Sequence, residues 1–488
     1  MHTRFLKTIT LSLWLTPAVL LAVQSKPAPP KRIDKPKPSH AAEYVAEPRP
    51  EDGRNLALAV TKLERGFTPP RPFLIWALGS SYTNKLGNGD QLIELLQQRV
   101  GEDREIVYKK MVGNSCPWQY LRGWARHLAI PDQPDLVLIY TIGRTPDLEK
   151  VIVELRKHTT ADIIVPSIHW RERCKPFWGK SEDAPDQKVA EVRSLCEKYG
   201  VEFVENRREW AQYLTDNNLQ IEDLLNDAVH QSGYGAKIVN MNIARHLHRP
   251  AEHNYDPASR ERRIHADSDS VRVMPEGGWT NTDGLIPGHQ ALAASAAGAS
   301  IEFEFTGNRV DLIGAACGEG ASVFIDGKPA DEVDAYYMTY IQWARTNFSE
   351  RRSPARDQSP HGVRLGDNIV PQTWTITMRD DQGSFELAGS VTGTDGTGNA
   401  KQPFASDSGQ IIIEPDEWRR SERNRKGDKF TWTVRRTTAS NVRFEGEEGK
   451  LFRATLAANL SNKKHTVKLI ADGPITVHAF DVFEPPLK

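Results

Sequence analysis

Cysteine is scarce. Cys116, Cys174, Cys196 and Cys317 are the only four in 488 residues, and none forms a CxxC pair. That number is too small for a disulfide scaffold, and the spacing does not suit a cysteine-based zinc site. A surplus of one charge is also missing: 63 basic residues against 64 acidic ones give a net charge of −1. A dedicated nucleic-acid binder usually carries a basic excess, so that class is disfavoured. Long apolar runs are absent beyond the N-terminus, and the one there, residues 9–23, is shorter than the ~20 residues a spanning helix needs. No membrane span is therefore expected once that run is removed.

The run follows Arg4 and Lys7 and ends at Val23-Gln24-Ser25, where small residues suit cleavage. Residues 1–25 read as a secretory signal peptide, with an uncleaved anchor as the alternative. Export predicts a secreted, periplasmic or cell-surface protein, and permits disulfides, Cys174 with Cys196 being one conceivable pair. Residues 26–68 open with KPAPPKRIDKPKPSH and read as a mobile linker rich in proline and charge. Beyond it, 39% hydrophobic and 26% charged residues suit a globular chain with a sizeable core. At about 150 residues per domain, the length predicts two or three domains.

Residues 69–250 alternate short apolar runs with helical patterns. Strands are expected at 73–78, 105–112, 136–141, 163–168 and 201–204, and helices at 90–100, 118–130, 146–159, 187–199 and 234–247. LVLIYT at 136–141 is apolar nearly throughout, as a strand buried on both faces should be. Repeated β-then-α units predict an α/β fold, a parallel sheet with helices on both faces. Ligands bind such sheets outside the carboxyl ends of the strands. The residues there are Gly79-Ser80-Ser81-Tyr82-Thr83, Gly113-Asn114-Ser115, Gly143-Arg144-Thr145 and His169-Trp170-Arg171, with Asn226-Asp227-Ala228-Val229-His230 past the last strand.

Hydroxyls, glycines, an acid and two histidines on one rim suit acyl transfer. Ser81 sits on a tight turn after Gly79, where a serine oxygen can be exposed next to backbone N–H groups. A serine hydroxyl needs a base within hydrogen-bond reach, and His230 is the best candidate. Asp227, three residues earlier, is placed to fix the imidazole and stabilise its charged form. Ser80 is a rival nucleophile. His169 is either a substrate contact or a satisfied histidine at the sheet edge. Trp118, Trp124, Trp170 and Trp178 are sugar-stacking or packing aromatics.

Gly79-Ser80-Ser81-Tyr82-Thr83, Gly113, Gly143-Arg144-Thr145 and Asp227-Ala228-Val229-His230 resemble the four signature blocks of the SGNH (GDSL-type) hydrolases, in the family's order and over roughly residues 73–247. The resemblance implies a flavodoxin-like three-layer fold and an esterase or deacylase. It makes Ser81 the nucleophile, His230 the base and Asp227 its partner, with the Gly113 and Ser81 N–H groups in the oxyanion hole. No metal or other cofactor is implied. The sequence departs from the family where Gly-x-Asn becomes Gly143-Arg144-Thr145, leaving Thr145, Arg144 or Asn114 to supply the missing donor.

After residue 250 the pattern turns to alternating strands at 299–305, 310–314, 321–325, 465–470 and 475–483. They predict an all-β sandwich over 268–488 with a β-rich insertion at about 366–448. Trp279, Tyr336, Tyr337, Tyr340 and Trp343 are candidates to stack on sugars. Oxygen-rich 392–399 and 406–408 read as turns before calcium ligands. The whole predicts an exported serine esterase acting on an acylated carbohydrate. A carbohydrate-binding scaffold with a degenerate hydrolase domain is the alternative.

Overall fold

A computed structural model of the chain describes residues 35–112, 124–177, 184–274, 278–340, 358–360, 362–418 and 421–488. The expected signal peptide, Gly113, Asn114, Cys116, Trp118, Trp178 and Trp343 lie outside these residues. None of the described helices is long and apolar enough to cross a membrane.

Five strands form one parallel sheet: β1 (Phe73–Gly79), β2 (Ile106–Val112), β3 (Leu136–Tyr140), β4 (Asp162–Pro166) and β5 (Glu202–Val204), in the order β2-β1-β3-β4-β5. That order is the flavodoxin-like one, with the reversal between β1 and β3. Side chains along β1 alternate between two cores. Trp76 and Leu78 join one with Val137, Ile139 and Val165, while Phe73, Ile75 and Ala77 join the other with Leu138 and Ile164. A strand buried on both faces reads as a continuous apolar run, so these segments are visible in the sequence.

Pairing register sets the rim. Gly79 is level with Val112 on one side and Tyr140 on the other, so the loops after β1, β2 and β3 leave the sheet side by side. The helix after β3, Thr145–His158, has Pro146 in its first turn, Asp147 beside it and Arg156, Lys157 and His158 in its last turn. Each suits its position, because the N-terminus of a helix favours acid and the C-terminus base. Leu148, Val151, Ile152 and Leu155 form its buried stripe.

Of the stretch expected to be a mobile linker, the part from Lys35 packs against the α/β layer, which departs from that reading for residues 35–68. Tyr44 is buried, its hydroxyl donating to Asn242 at 2.5 Å and its N–H to the Tyr234 hydroxyl at 2.7 Å. Asp52 pairs with Arg245 at 2.7 Å, and the helix Ala57–Arg65 buries Leu58, Val60 and Leu63. A few well-placed apolar and polar anchors outweigh the composition of the segment. Cys174 and Cys196 are free and belong to cores on opposite faces of the sheet, so the conceivable pair does not form.

The second half is an antiparallel sandwich. One sheet contains Gly320–Ile325, Lys463–Ala471 and Ser300–Gly307, and the other Leu451–Ala457, Arg309–Ala315, Ile475–Phe483 and Gln290–Ala294. The inserted unit begins earlier than expected, because Tyr336–Tyr340 pairs with Lys429–Arg436. It ends before Asn441–Arg443, which already pairs with Gly320–Ile325 of the sandwich. Its apolar core, including Trp374, Phe385 and Trp432, is continuous with one face of the parallel sheet.

The sandwich meets the α/β layer at the amino ends of the strands. Asp162, first in β4, accepts from Arg260 and the Tyr255 hydroxyl, each at 2.6 Å, and from the Ala59 N–H at 2.9 Å. Lys62 bridges Asp135 at 3.0 Å and Glu261 at 2.6 Å. The carboxyl ends, where ligands bind parallel sheets, are the opposite ends of the same strands.

Candidate active site

Ser81 begins a short helix, Ser81–Lys85, immediately after β1. Gly79 makes that turn feasible. A side chain there would put its Cβ 1.7 Å from Thr83 Oγ1 and 2.7 Å from the Tyr140 carbonyl. Thr83 Oγ1 donates to that same carbonyl at 2.5 Å, locking the turn onto the end of β3. Ser80 is buried and caps the helix, its Oγ accepting the Tyr82 N–H at 3.3 Å. Buried and turned to the backbone, Ser80 is not the serine whose hydroxyl faces His230. Ser81, the next residue, is exposed.

The second segment is a closed loop. Leu225 and Gln231 form an isolated antiparallel bridge, and the Asn226 N–H donates to the His230 carbonyl at 2.9 Å. Inside it, Asp227 Oδ1 accepts the N–H groups of Val229 and His230, both at 2.9 Å. Ser232 then caps the following helix, Gly233–His246, by accepting from the Gly235 N–H. Gln231, fully buried, donates its side-chain amide to the Tyr82 carbonyl at 2.9 Å and so ties this loop to the serine turn.

The two segments meet at the imidazole. His230 Nε2 lies 2.8 Å from Ser81 Oγ, and Nδ1 lies 2.9 Å from Asp227 Oδ2 and 3.0 Å from Oδ1. A carboxylate only accepts, so Nδ1 carries a proton and Nε2 is left to accept from the serine hydroxyl. Partial burial pushes the Asp227 carboxyl upward. The hydrogen bonds from the His230 ring and from the two backbone N–H groups outweigh that and hold it at about 2. The carboxylate is thus anionic at any pH near neutrality. This is the geometry of a nucleophile, its general base and an orienting acid.

No family model matches the chain, and no curated relative matches it. Among solved structures, it is similar to a two-domain esterase active on acetylated mannans. That protein is 11% identical, with a TM-score of 0.32 over 91% of this chain and 100% of the other. It is also similar to an acetylxylan esterase from Geobacillus stearothermophilus, 19% identical, with a TM-score of 0.29 over 38% of this chain and 95% of the other. Overlaps this loose leave the activity to be argued from the geometry of Ser81, His230 and Asp227.

Other expected site residues have contacts of their own. Thr145 opens the helix after β3, and its hydroxyl is engaged by Lys188 and Glu191, the latter at 2.7 Å. The Arg144 side chain is exposed and lies 3.6 Å from Asp147. Both line a cavity of about 40 Å³ with Ile142, Leu148 and Val189, and neither Ser81 nor His230 borders it.

His169 is not a substrate contact: it is fully buried, with one ring nitrogen 2.6 Å from the Tyr140 hydroxyl and the other 2.9 Å from the Val229 carbonyl. Burial above all keeps its imidazole neutral, down to about 3, with Arg171, His230 and Arg207 adding to the effect against the Val229 hydrogen bond.

Trp124 and Trp170 are buried, Trp170 beneath the Arg207 guanidinium at 3.4 Å, so they pack and do not stack on sugars. Trp279 is likewise buried, and the Tyr336 ring lies against Arg436. The side chains of Tyr337 and Tyr340 lie outside the described residues. Gly393–Asn399, read as a turn, is an edge strand, and its Asp395 accepts from the backbone and hydroxyl of Ser408.

Sequence reasoning missed Tyr140 and Gln231, and gave Tyr82 no role beyond its place in the block after β1. Tyr140 was read as one more apolar position of β3. A tyrosine closing an otherwise aliphatic strand was the available signal, because a buried phenol needs a polar partner.

Proposed function

We propose that this chain is an exported serine esterase of the SGNH type that removes acyl groups, acetyl above all, from a polysaccharide or glycoconjugate. The observation that carries the reading is the continuous contact from Ser81 Oγ through the His230 ring to Asp227, at 2.8 and 2.9 Å.

In the proposed reaction, Ser81 Oγ attacks the ester carbonyl as its proton passes to His230 Nε2. The imidazolium is stabilised by Asp227, which stays anionic. Collapse of the tetrahedral intermediate breaks the ester bond, and His230 gives its proton to the leaving sugar hydroxyl. Water, deprotonated by the same nitrogen, then releases the acid from the acyl-enzyme. At the first position of its helix, the Ser81 N–H has no acceptor within the helix and suits the developing oxyanion. The Gly113 N–H is proposed as its second donor, with Asn114, Arg144 or Thr145 for the third.

The substrate class rests on the setting of the nucleophile. Ser81 is exposed on the sheet rim, which suits an ester pendant on a bulky polymer better than a small buried ligand. The sandwich, attached at the other strand ends, is proposed as a module that holds such a polymer. Release of acetate from acetylated polysaccharides and from an aryl acetate tests the reading, with Ser81→Ala expected to abolish both. Full turnover by that variant would remove Ser81 from the mechanism. Failure of the intact protein to react with a fluorophosphonate would favour the binding-scaffold alternative.

A further inference from the structure

His169 faces away from solvent, yet it is connected to the reacting groups through a single peptide unit. Its Nε2 lies 2.9 Å from the Val229 carbonyl, which only accepts, so Nε2 bears the proton. Nδ1 is then the acceptor for the Tyr140 hydroxyl at 2.6 Å. The Val229 carbonyl belongs to the same peptide as the His230 N–H, and that N–H donates to Asp227 Oδ1 at 2.9 Å. Asp227 in turn accepts from His230 Nδ1, and His230 Nε2 faces Ser81 Oγ at 2.8 Å.

One unbroken chain of hydrogen bonds thus runs from a phenol at the end of β3 to the exposed serine. Each donor in it has one sense only. Donation converges on Asp227 from two sides, through Tyr140, His169 and the Val229–His230 peptide on one and from Ser81 through the His230 ring on the other, and satisfied polar networks of this kind fix a unique geometry.

We propose that His169, held in one tautomer by Tyr140, is a positioning residue that pins the Val229–His230 peptide and thereby sets the Asp227–His230 pair against Ser81. The proposal deepens the esterase reading and rests on it. Ala228 and Val229 are exposed, the bridge between Leu225 and Gln231 fixes the two ends of the loop, and the Glu172 N–H holds the Ala228 carbonyl at 3.0 Å; His169 holds the next carbonyl, the one on the His230 peptide. The Tyr82 ring fills the space between, with its centroid 5.0 Å from the His169 ring and 5.9 Å from the His230 ring. Rotation of the peptide would move the carboxylate and the imidazole together. A displacement of about 1 Å at reacting groups costs on the order of 10²-fold in rate.

The test compares His169→Leu, His169→Gln and Tyr140→Phe in the full chain by aryl acetate hydrolysis, with melting temperatures measured alongside. His169→Leu keeps the volume and leaves the carbonyl without its donor, so kcat is expected to fall on the order of 10²-fold with KM within about twofold. His169→Gln carries an N–H at the position of Nε2 and is expected to recover most of that loss. Tyr140→Phe removes one hydroxyl from an otherwise unchanged ring and is expected to lower kcat by about three- to tenfold.

If His169→Leu fails to fold, the other two variants decide. Unchanged kcat in Tyr140→Phe together with no advantage of Gln over Leu, or over an unfolded Leu variant's remaining soluble fraction, overturns the proposal. Fluorophosphonate labelling of the wild type and Ser81→Ala separates the two levels. An unlabelled wild type ends the esterase reading and this inference with it, whereas a labelled wild type with indifferent variants ends this inference alone.

Discussion

Replacing Asp227 by asparagine tests the division of labour between its two oxygens. Oδ1 accepts the Val229 and His230 N–H groups at 2.9 Å, while Oδ2 faces the ring at 2.9 Å. In Asp227→Asn the carbonyl oxygen must stay on the backbone side, because an amide turned the other way would face two N–H groups with its own NH₂. The NH₂ then faces Nδ1, which has to give up its proton and become the acceptor. The proton moves to Nε2, and an imidazole protonated there cannot take the proton of Ser81.

The wrong tautomer in an otherwise intact triad costs on the order of 10⁴ in kcat. That corresponds to about 5 kcal/mol of barrier. The backbone contacts survive, so KM and the melting temperature should move little. Steady-state hydrolysis of an aryl acetate and a thermal melt are the two measurements. A folded Asp227→Asn protein that loses less than tenfold in kcat would refute the reasoning.

Four further outcomes are expected. Ser80→Ala should lose about 1 kcal/mol of stability with its helix cap and keep kcat within a few-fold, as a kcat titration beside a melt would show. Gly79→Ala places a methyl 1.7 Å from Thr83 Oγ1, so the purified variant should melt well below the wild type or accumulate insoluble.

Asp162→Ala strands the buried Arg260 guanidinium and should cost about 3–5 kcal/mol in urea denaturation. Turnover by the remaining folded fraction should be normal, since Asp162 lies at the far ends of the strands. His169 is held near 3 in the folded chain against about 6.5 unfolded, so the unfolded chain binds its proton first as pH falls. Its contribution is complete above about pH 6.5 and lost toward pH 3, on the order of a few kcal/mol. The urea midpoint of His169→Gln should therefore fall less steeply over that window than the wild type's.

Local chemistry was readable where neighbours in sequence are neighbours in space. Leu136–Tyr140 could be read as a buried strand because both of its faces are covered, and Asp227 could be matched to His230 because only two residues separate them. The serine turn was equally plain, since Gly79 and Thr83 enforce it within five residues.

Non-local pairing was harder to read. Tyr336–Tyr340 finds its partner strand at Lys429–Arg436, nearly a hundred residues later, so no periodic pattern marked the start of the insertion. Order in the proline-rich segment after Lys35 comes from single anchors such as Tyr44 and Asp52, which composition averages away. His169 looked like a rim residue from its place after β4. Only the packing of Tyr140 and Val229 around it shows that its ring points inward.

The central claim is that Ser81 is the alcohol activated by His230. It is tested most directly by locating a fluorophosphonate adduct through peptide mass mapping of the full-length protein. One phosphonyl group is expected on Ser81, absent after His230→Ala. An adduct on Ser80 or elsewhere, or equal labelling without His230, would contradict it.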